Sequence, residues 1–178
     1  MTDALAPFAD APAAPPAASL AADPSDGRPR GGARSKQYVT FLVGDRAYGV
    51  DIVAVREIKQ WSPVTALPNQ PHYMRGVLNL RGTIVPVHDL RARFGGALTE
   101  AAETHVVVIV LIGEQTVGVL VDAVSDIIDV SAEDVRAVPL SDGDADQTAI
   151  GGLVSTETGM VALLELDALF GGAARGLY

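Results

Sequence analysis

Residues 44–58 read GDRAYGVDIVAVREI, and residues 113–127 read GEQTVGVLVDAVSDI. The two stretches align without a gap at an offset of 69 residues. Gly44 meets Gly113, Gly49 meets Gly118, Val50 meets Val119 and Ile52 meets Val121. Further along, Val55 meets Val124, Glu57 meets Asp126 and Ile58 meets Ile127. A second block follows at an offset of 76: Ile84, Val87, Leu90, Phe94, Gly95 and Gly96 lie over Met160, Leu163, Leu166, Phe170, Gly171 and Gly172. The second copy therefore carries extra residues, most simply in the polar stretch 141–148. Shared glycines and apolar positions imply one backbone plan used twice. Two copies are too few for a solenoid. They suit two similar subdomains facing each other across a pseudo-two-fold axis, with a groove between them.

Composition narrows the function. The chain has 178 residues, 48% hydrophobic, with a net charge of −9. That is enough apolar material for a core. The acidic surface repels phosphate backbones, which argues against nucleic acid as a partner. Cysteine is absent, so disulfides, thiolate metal sites and a cysteine nucleophile are excluded. The longest apolar run, residues 106–112 (VVVIVLI), is far short of the roughly 20 residues that cross a bilayer, so direct membrane insertion is not expected. The N-terminus lacks a basic region and its apolar residues are interrupted by proline, unlike a secretory signal.

Residues 1–35 differ from the rest. They hold six of the eleven prolines, and Leu5, Phe8 and Leu20 are their only large apolar side chains. Such a segment buries too little surface to offset the entropy of ordering, and is expected to be a disordered Ala/Pro-rich tail.

From Lys36 onward the signals are β. Residues 38–43 alternate, Gly44-Asp45 supplies a turn, and Tyr48, Val50 and Ile52 share a face, which predicts a hairpin. The spacing of Ile52, Val55 and Ile58 predicts a short helical turn. Residues 83–88 read as a strand in which Pro86 removes a ladder donor, implying an edge or a bulge. Asp89 is a candidate cap for a short helix ending at Phe94, with Gly95 as its stop. Residues 106–112 and 117–121 repeat the opening hairpin, and the unbroken apolar run fits a strand buried on both faces. Residues 131–134 read as a helix start or a turn. Residues 160–164 form a buried strand, with a short helix to Phe170. Many short strands punctuated by glycine argue for small barrels.

A search for an active site returns little. His72, His88 and His105 lack ligand spacing and read as surface or partly buried polar residues. No GxSxG, Walker A, GxGxxG or HExxH pattern occurs. Residues 142–146 (DGDAD) imitate the start of a calcium loop, but its sixth position is Gln147 and its twelfth Leu153, where glycine and glutamate are needed. No metal or cofactor is implied. One charge stands out: Arg81, between apolar strand residues and Gly82, falls over Glu157 in the second copy. It belongs to one half only, as a solvent-facing turn residue or as part of a site.

The ordered series Tyr48-Gly49-Val50-Asp51-Ile52, Val55-Arg56-Glu57-Ile58 and residues 76–87 (GVLNLRGTIVPV), with the later residues 117–126, closely resembles the CheW family. The resemblance covers residues 36–170. It implies an all-β fold of two SH3-like five-stranded β-barrel subdomains related by a pseudo-two-fold, with short helices. We place the tail at residues 1–35 and the CheW-like domain at 36–178, with subdomain one about 36–100 and subdomain two about 101–172. The resemblance further implies a cytoplasmic, non-enzymatic adaptor, recruited to membrane-associated receptor arrays. Its partners would be the cytoplasmic tip of chemoreceptors, docked in the groove, and the regulatory domain of the histidine kinase CheA, paired with barrel edges. The coupling residues carried over are Val55, Glu57 and Ile58, then Asn79, Arg81 and Gly82, with Glu57 and Arg81 as a charge pair. Val106, Val124 and Ile127 resemble the opposite groove wall; core packing is their other reading. The alternative function is a small-ligand-binding β-barrel sensor that uses the groove as its pocket.

Overall fold

The computed structural model describes residues 35–138 and 149–170. The long N-terminal segment, and the acidic stretch 141–148 to which we assigned the extra residues and the calcium-loop resemblance, lie outside the described residues. Ten strands and two short helices follow in order: β1 (Lys36–Val43), β2 (Arg46–Asp51), β3 (Val55–Gln60), β4 (Met74–Leu80), β5 (Thr83–Asp89), α1 (Leu90–Arg93), β6 (Val106–Ile112), β7 (Gln115–Val121), β8 (Ala123–Val130), β9 (Ile150–Thr156), β10 (Gly159–Leu164) and α2 (Leu166–Phe170). The predicted helical turn is a single 3-10 turn at Ile52–Ala54, capped by the Asp51 carboxylate accepting from the Val53 N–H at 2.9 Å. Residues 131–134 form a turn.

The strands make two five-stranded sheets, ordered β8-β1-β2-β10-β9 and β3-β6-β7-β5-β4. Replacing each strand by its counterpart in the other copy turns the first order into the second, so the repeat is a true structural symmetry. The sheets do not follow the division near residue 100 that the repeat led us to draw. Each copy gives its first two strands to one sheet and its last three to the other. The chain leaves β2 beside Tyr38, at the start of β1, and rejoins pairing at Val55 opposite Val110, near the end of β6. The second copy makes the reciprocal crossing, from Val121 opposite Val106 to Ala123 opposite Leu42. Barrel one is thus β8-β1-β2-β10-β9 and barrel two is β3-β6-β7-β5-β4.

Each barrel closes where the chain leaving its edge strand pairs back. Thr65 exchanges both backbone hydrogen bonds with Val77 of β4, at 2.8 and 2.9 Å. Arg136 does the same with Leu153 of β9, both at 2.8 Å. Gly76 sits at this closure with φ of 140°, and a Cβ there would collide with the Thr65 carbonyl. Only glycine allows that approach.

Pro86 needs no edge or bulge. β5 is an interior strand, between β7 and β4. Val77, opposite Pro86, directs its own N–H and C=O to Thr65. The pair is therefore not hydrogen-bonded, and the missing donor falls on the far side. There the parallel ladder with β7 begins only at Val87. The proline therefore costs no bond to β4, and the ladder with β7 starts just past it.

Three cores result. Val107 and Ile109 of β6 enter the interior of barrel two with Leu78, Val85, Val87 and Leu120. Val130, Val154, Val161 and Leu163 fill barrel one. The largest cluster lies between the sheets and takes Val39, Phe41 and Val43 from β1 and Val108, Val110 and Ile112 from β6. Alternate residues of β6 thus serve two cores, which explains its unbroken apolar run.

The helices latch the halves reciprocally. Phe94, closing α1, stacks on Tyr48 of β2 at 5.1 Å between centroids. Its repeat mate Phe170, closing α2, lies 5.0 Å from the ring of His88 on β5. His88 is therefore not a surface or partly buried residue: it is 4% exposed. Burial, with the nearby Arg93 charge, lowers its pKa from 6.5 to about 4, so the ring is neutral at pH 7.

Candidate functional site: the coupling face

Leu80 and Thr83 pair across the loop Arg81-Gly82. Both loop residues have positive φ, 52° and 91°. This is the type I′ geometry that matches strand twist and that glycine or asparagine adopts most easily. The Asn79 side-chain carbonyl accepts from the Gly82 N–H at 2.7 Å and braces the turn. Arginine in the left-handed region costs about 1–2 kcal/mol. Its side chain is 82% exposed, so burial does not offset that cost.

The strained backbone aims the guanidinium at Glu57 on β3. Arg81 Nη2 lies 3.4 Å from Glu57 Oε2. Glu57 reaches this position through a bulge at Arg56, because Val55 opposes Val110 while Glu57 opposes Ile109. The ion pair expected from the resemblance is thus present geometrically. At this exposure it contributes at most about 1 kcal/mol to folding.

The bulge also decides where the apolar candidates point. Val55 and Ile58 oppose Val110 and Val108, both members of the inter-sheet core. Val124 and Ile127 of β8 oppose Phe41 and Val39 in the same way. Directly opposed residues share a face, so all four lie on faces that border this core. Val55, Val106 and Val124 are half-buried against it. Ile58 and Ile127 are 44% and 51% exposed. The two readings of these positions therefore separate along each strand: valines pack and isoleucines protrude. Thr40 pins the β8 bulge by donating to the Asp126 carbonyl at 2.9 Å and accepting from its N–H at 3.1 Å.

Residues 37–174 match the CheW-like domain family. The chain belongs to the CheW family. It is 40% identical over 135 residues to the chemotaxis protein CheW of Rhizobium meliloti strain 1021, covering 76% of this chain and 87% of that protein. A probable chemotaxis protein CheW from Rhizobium etli is 39% identical over the same length. The crystal structure of the scaffolding protein TtCheW from Thermoanaerobacter tengcongensis matches with a TM-score of 0.69 at 31% identity, covering 76% of this chain and 88% of that one.

Within this CheW-family chain the two barrels differ where the repeat is asymmetric. The counterparts of Glu57 and Arg81 are Asp126 and Glu157, both exposed carboxylates. They line an open cavity of about 480 Å³ with Thr40, Ser125, Thr156 and Thr158. Opposite charges meet at this place in barrel two; in barrel one two carboxylates line a cavity. Sequence reasoning noted the Arg81–Glu157 asymmetry but not this cavity. The strand read as buried over residues 160–164 is not buried at its start: Met160 is 53% exposed, and its repeat mate Ile84 is 62% exposed. Among the described residues, no helix is long and apolar enough to cross a membrane.

Proposed function

We propose that this chain is a non-enzymatic cytoplasmic adaptor that couples chemoreceptors to the histidine kinase CheA in membrane-associated signalling arrays. The observation that carries the reading is the edge strand β3: an ion pair held by a strained turn on one face, and on the other a protruding isoleucine beside the inter-sheet core. An exposed apolar pair at repeat-related positions, Ile58 and Ile127, suits an amphipathic helical hairpin, which docks apolar anchors into such a face. The names of the relatives, chemotaxis and scaffolding proteins, support the same role. Asn79, Gly82, Glu57 and Arg81 would meet polar groups of the partner, while Val55, Val106 and Val124 support the anchors from beneath. A small-ligand sensor is less favoured, because side chains fill the space between the sheets.

The test replaces Ile127 by aspartate. A desolvated, unpaired carboxylate should weaken binding to a receptor helical hairpin by at least about tenfold. Binding to the CheA regulatory domain, assigned to barrel edges, should survive. Val124→Asp is the harder variant, since Val124 also packs on the core, and its melting temperature must be measured beside it. Loss of both partners by a folded Ile127→Asp protein, or unchanged receptor affinity, would overturn the assignment.

A further inference from the structure

At the other end of barrel two lies a second asymmetry. Arg75 is the bulge residue of β4, where the register shifts between Met74 and Gly76. Its counterpart in β9 is Gly151, at a bulge of the same kind. Trp61 has Val130 as its counterpart, a core residue of barrel one. Barrel one has neither an arginine nor a tryptophan at these two positions, so the fold does not require them there.

Arg75 and Trp61 line a cavity of about 400 Å³ with Pro63, Val64, Met74 and Leu98. The guanidinium sits 5.7 Å above the Trp61 ring. Its side chain is only 21% exposed, and the nearest carboxylate, Asp89 Oδ2, is 3.9 Å away. That is too long for a hydrogen bond. Asp89 is engaged elsewhere: it accepts from the Thr99 N–H at 2.7 Å, the Thr99 hydroxyl at 3.0 Å and the Ala92 N–H at 3.2 Å. Asp89 therefore balances the charge while leaving the donors of Arg75 without a hydrogen bond among the described residues. A guanidinium carries five N–H groups in a planar fork that matches a carboxylate. The remaining wall is apolar and aromatic, and Leu98 at the rim is 46% exposed. A cation with spare donors beside an apolar wall calls for an anion attached to an apolar group. The cavity is open to solvent, whereas small-molecule sites enclose most of their ligand.

We propose that this pocket docks a partner protein through an acidic side chain flanked by an apolar one, with the carboxylate on Arg75 and the apolar group on Trp61, Met74 and Leu98. The site is separate from the coupling face and does not depend on its assignment.

The chain contains one tryptophan, so its fluorescence reports on this pocket alone. The probe is the blocked peptide acetyl-Leu-Glu-Leu-amide, titrated into the full chain. We expect a saturable change in Trp61 emission, with half-saturation in the range of about 1–10 mM for so small an anchor. The glutamine analogue should bind at least about tenfold more weakly, as should the Glu peptide to Arg75→Gln. Arg75→Lys, which keeps the charge but not the fork, should fall between. Melting curves establish that the variants fold; if Arg75→Gln does not, the Glu and Gln peptides on the unaltered chain decide. Glu and Gln peptides binding within twofold of each other would overturn the proposal, as would an Arg75→Gln protein that titrates like the parent or no saturable response. So would 4-methylpentanoate binding as tightly as the peptide, which would make this a small-acid pocket.

Discussion

Replacing Arg81 by asparagine should make the protein slightly more stable and less able to signal. Arg81 occupies the first position of a type I′ turn at φ 52°, ahead of Gly82 at 91°. Asparagine before glycine is the preferred pair for this geometry. The substitution should recover about 1 kcal/mol of left-handed strain. It removes the contact with Glu57, but Arg81 is 82% exposed and the separation is 3.4 Å, so that loss lies at the low end, about 0.3 kcal/mol. The brace from Asn79 to the Gly82 N–H is untouched. The balance, about 0.5–1 kcal/mol, raises the melting temperature by roughly 1–4 °C for a domain of this size. Receptor-dependent activation of CheA should fall at least about fivefold, as loss of a central arginine anchor commonly produces. Two measurements on one purified variant decide the matter: a thermal melt and a reconstituted kinase assay. A melting temperature lowered by more than about 3 °C would mean that Arg81 is kept for folding. Full kinase activation would mean that the strained turn serves no coupling role.

Three further outcomes are expected. His88 titrates near 4 when folded, against 6.5 unfolded, so the unfolded chain binds the extra proton first as pH falls. Stability contributed by the neutral ring is complete above about pH 6.5 and declines towards pH 4, by on the order of 3 kcal/mol; urea melts of His88→Leu should lose this slope, and an unchanged slope would place it on other groups. Gly76→Ala should lower the melting temperature by more than 5 °C, roughly 2 kcal/mol or more, because the new methyl meets the Thr65 backbone at the barrel closure; a neutral result would show that the closure yields. Glu157→Arg should seat a cation beside Asp126, as Arg81 sits beside Glu57, and leave stability within about 1 kcal/mol; a double-mutant cycle with Asp126→Asn should give a favourable coupling of about 0.3–1 kcal/mol, and no coupling would show that the two loops are not equivalent.

Much of the local structure was legible in the chain. Period-two alternation marked β1 and β2, the Gly44 turn between them came from its glycine, and Asp89 was readable as a cap because its carboxylate precedes a short segment with apolar Leu90 and Phe94 four residues apart and Gly95 after it. These features depend on neighbours a few residues away. His88 was misread because a histidine in a strand does not disclose what packs on it, and here the packing residue is Phe170, from the far end of the chain. Pro86 was misread because its cost depends on which way the opposing Val77 directs its hydrogen bonds, and Thr65 decides that.

The sequence by itself determined that one plan is used twice, that the elements are short strands with two terminal turns of helix, and that Arg81 breaks the symmetry. The tertiary structure alone decided which strands pair. An apolar face specifies that a strand must be covered, and says nothing about which strand supplies the cover. Two equal copies can each close their own barrel or exchange strands, since both bury the same residues. At the 3-10 turn Ile52–Ala54, and at its counterpart around Asp122, the chain passes from one sheet to the other instead of turning back beside the strand it leaves, so each copy finishes in the barrel begun by the other. That exchange places Val55, Ile58, Val124 and Ile127 beside one shared core, a relation that no spacing along the chain contains.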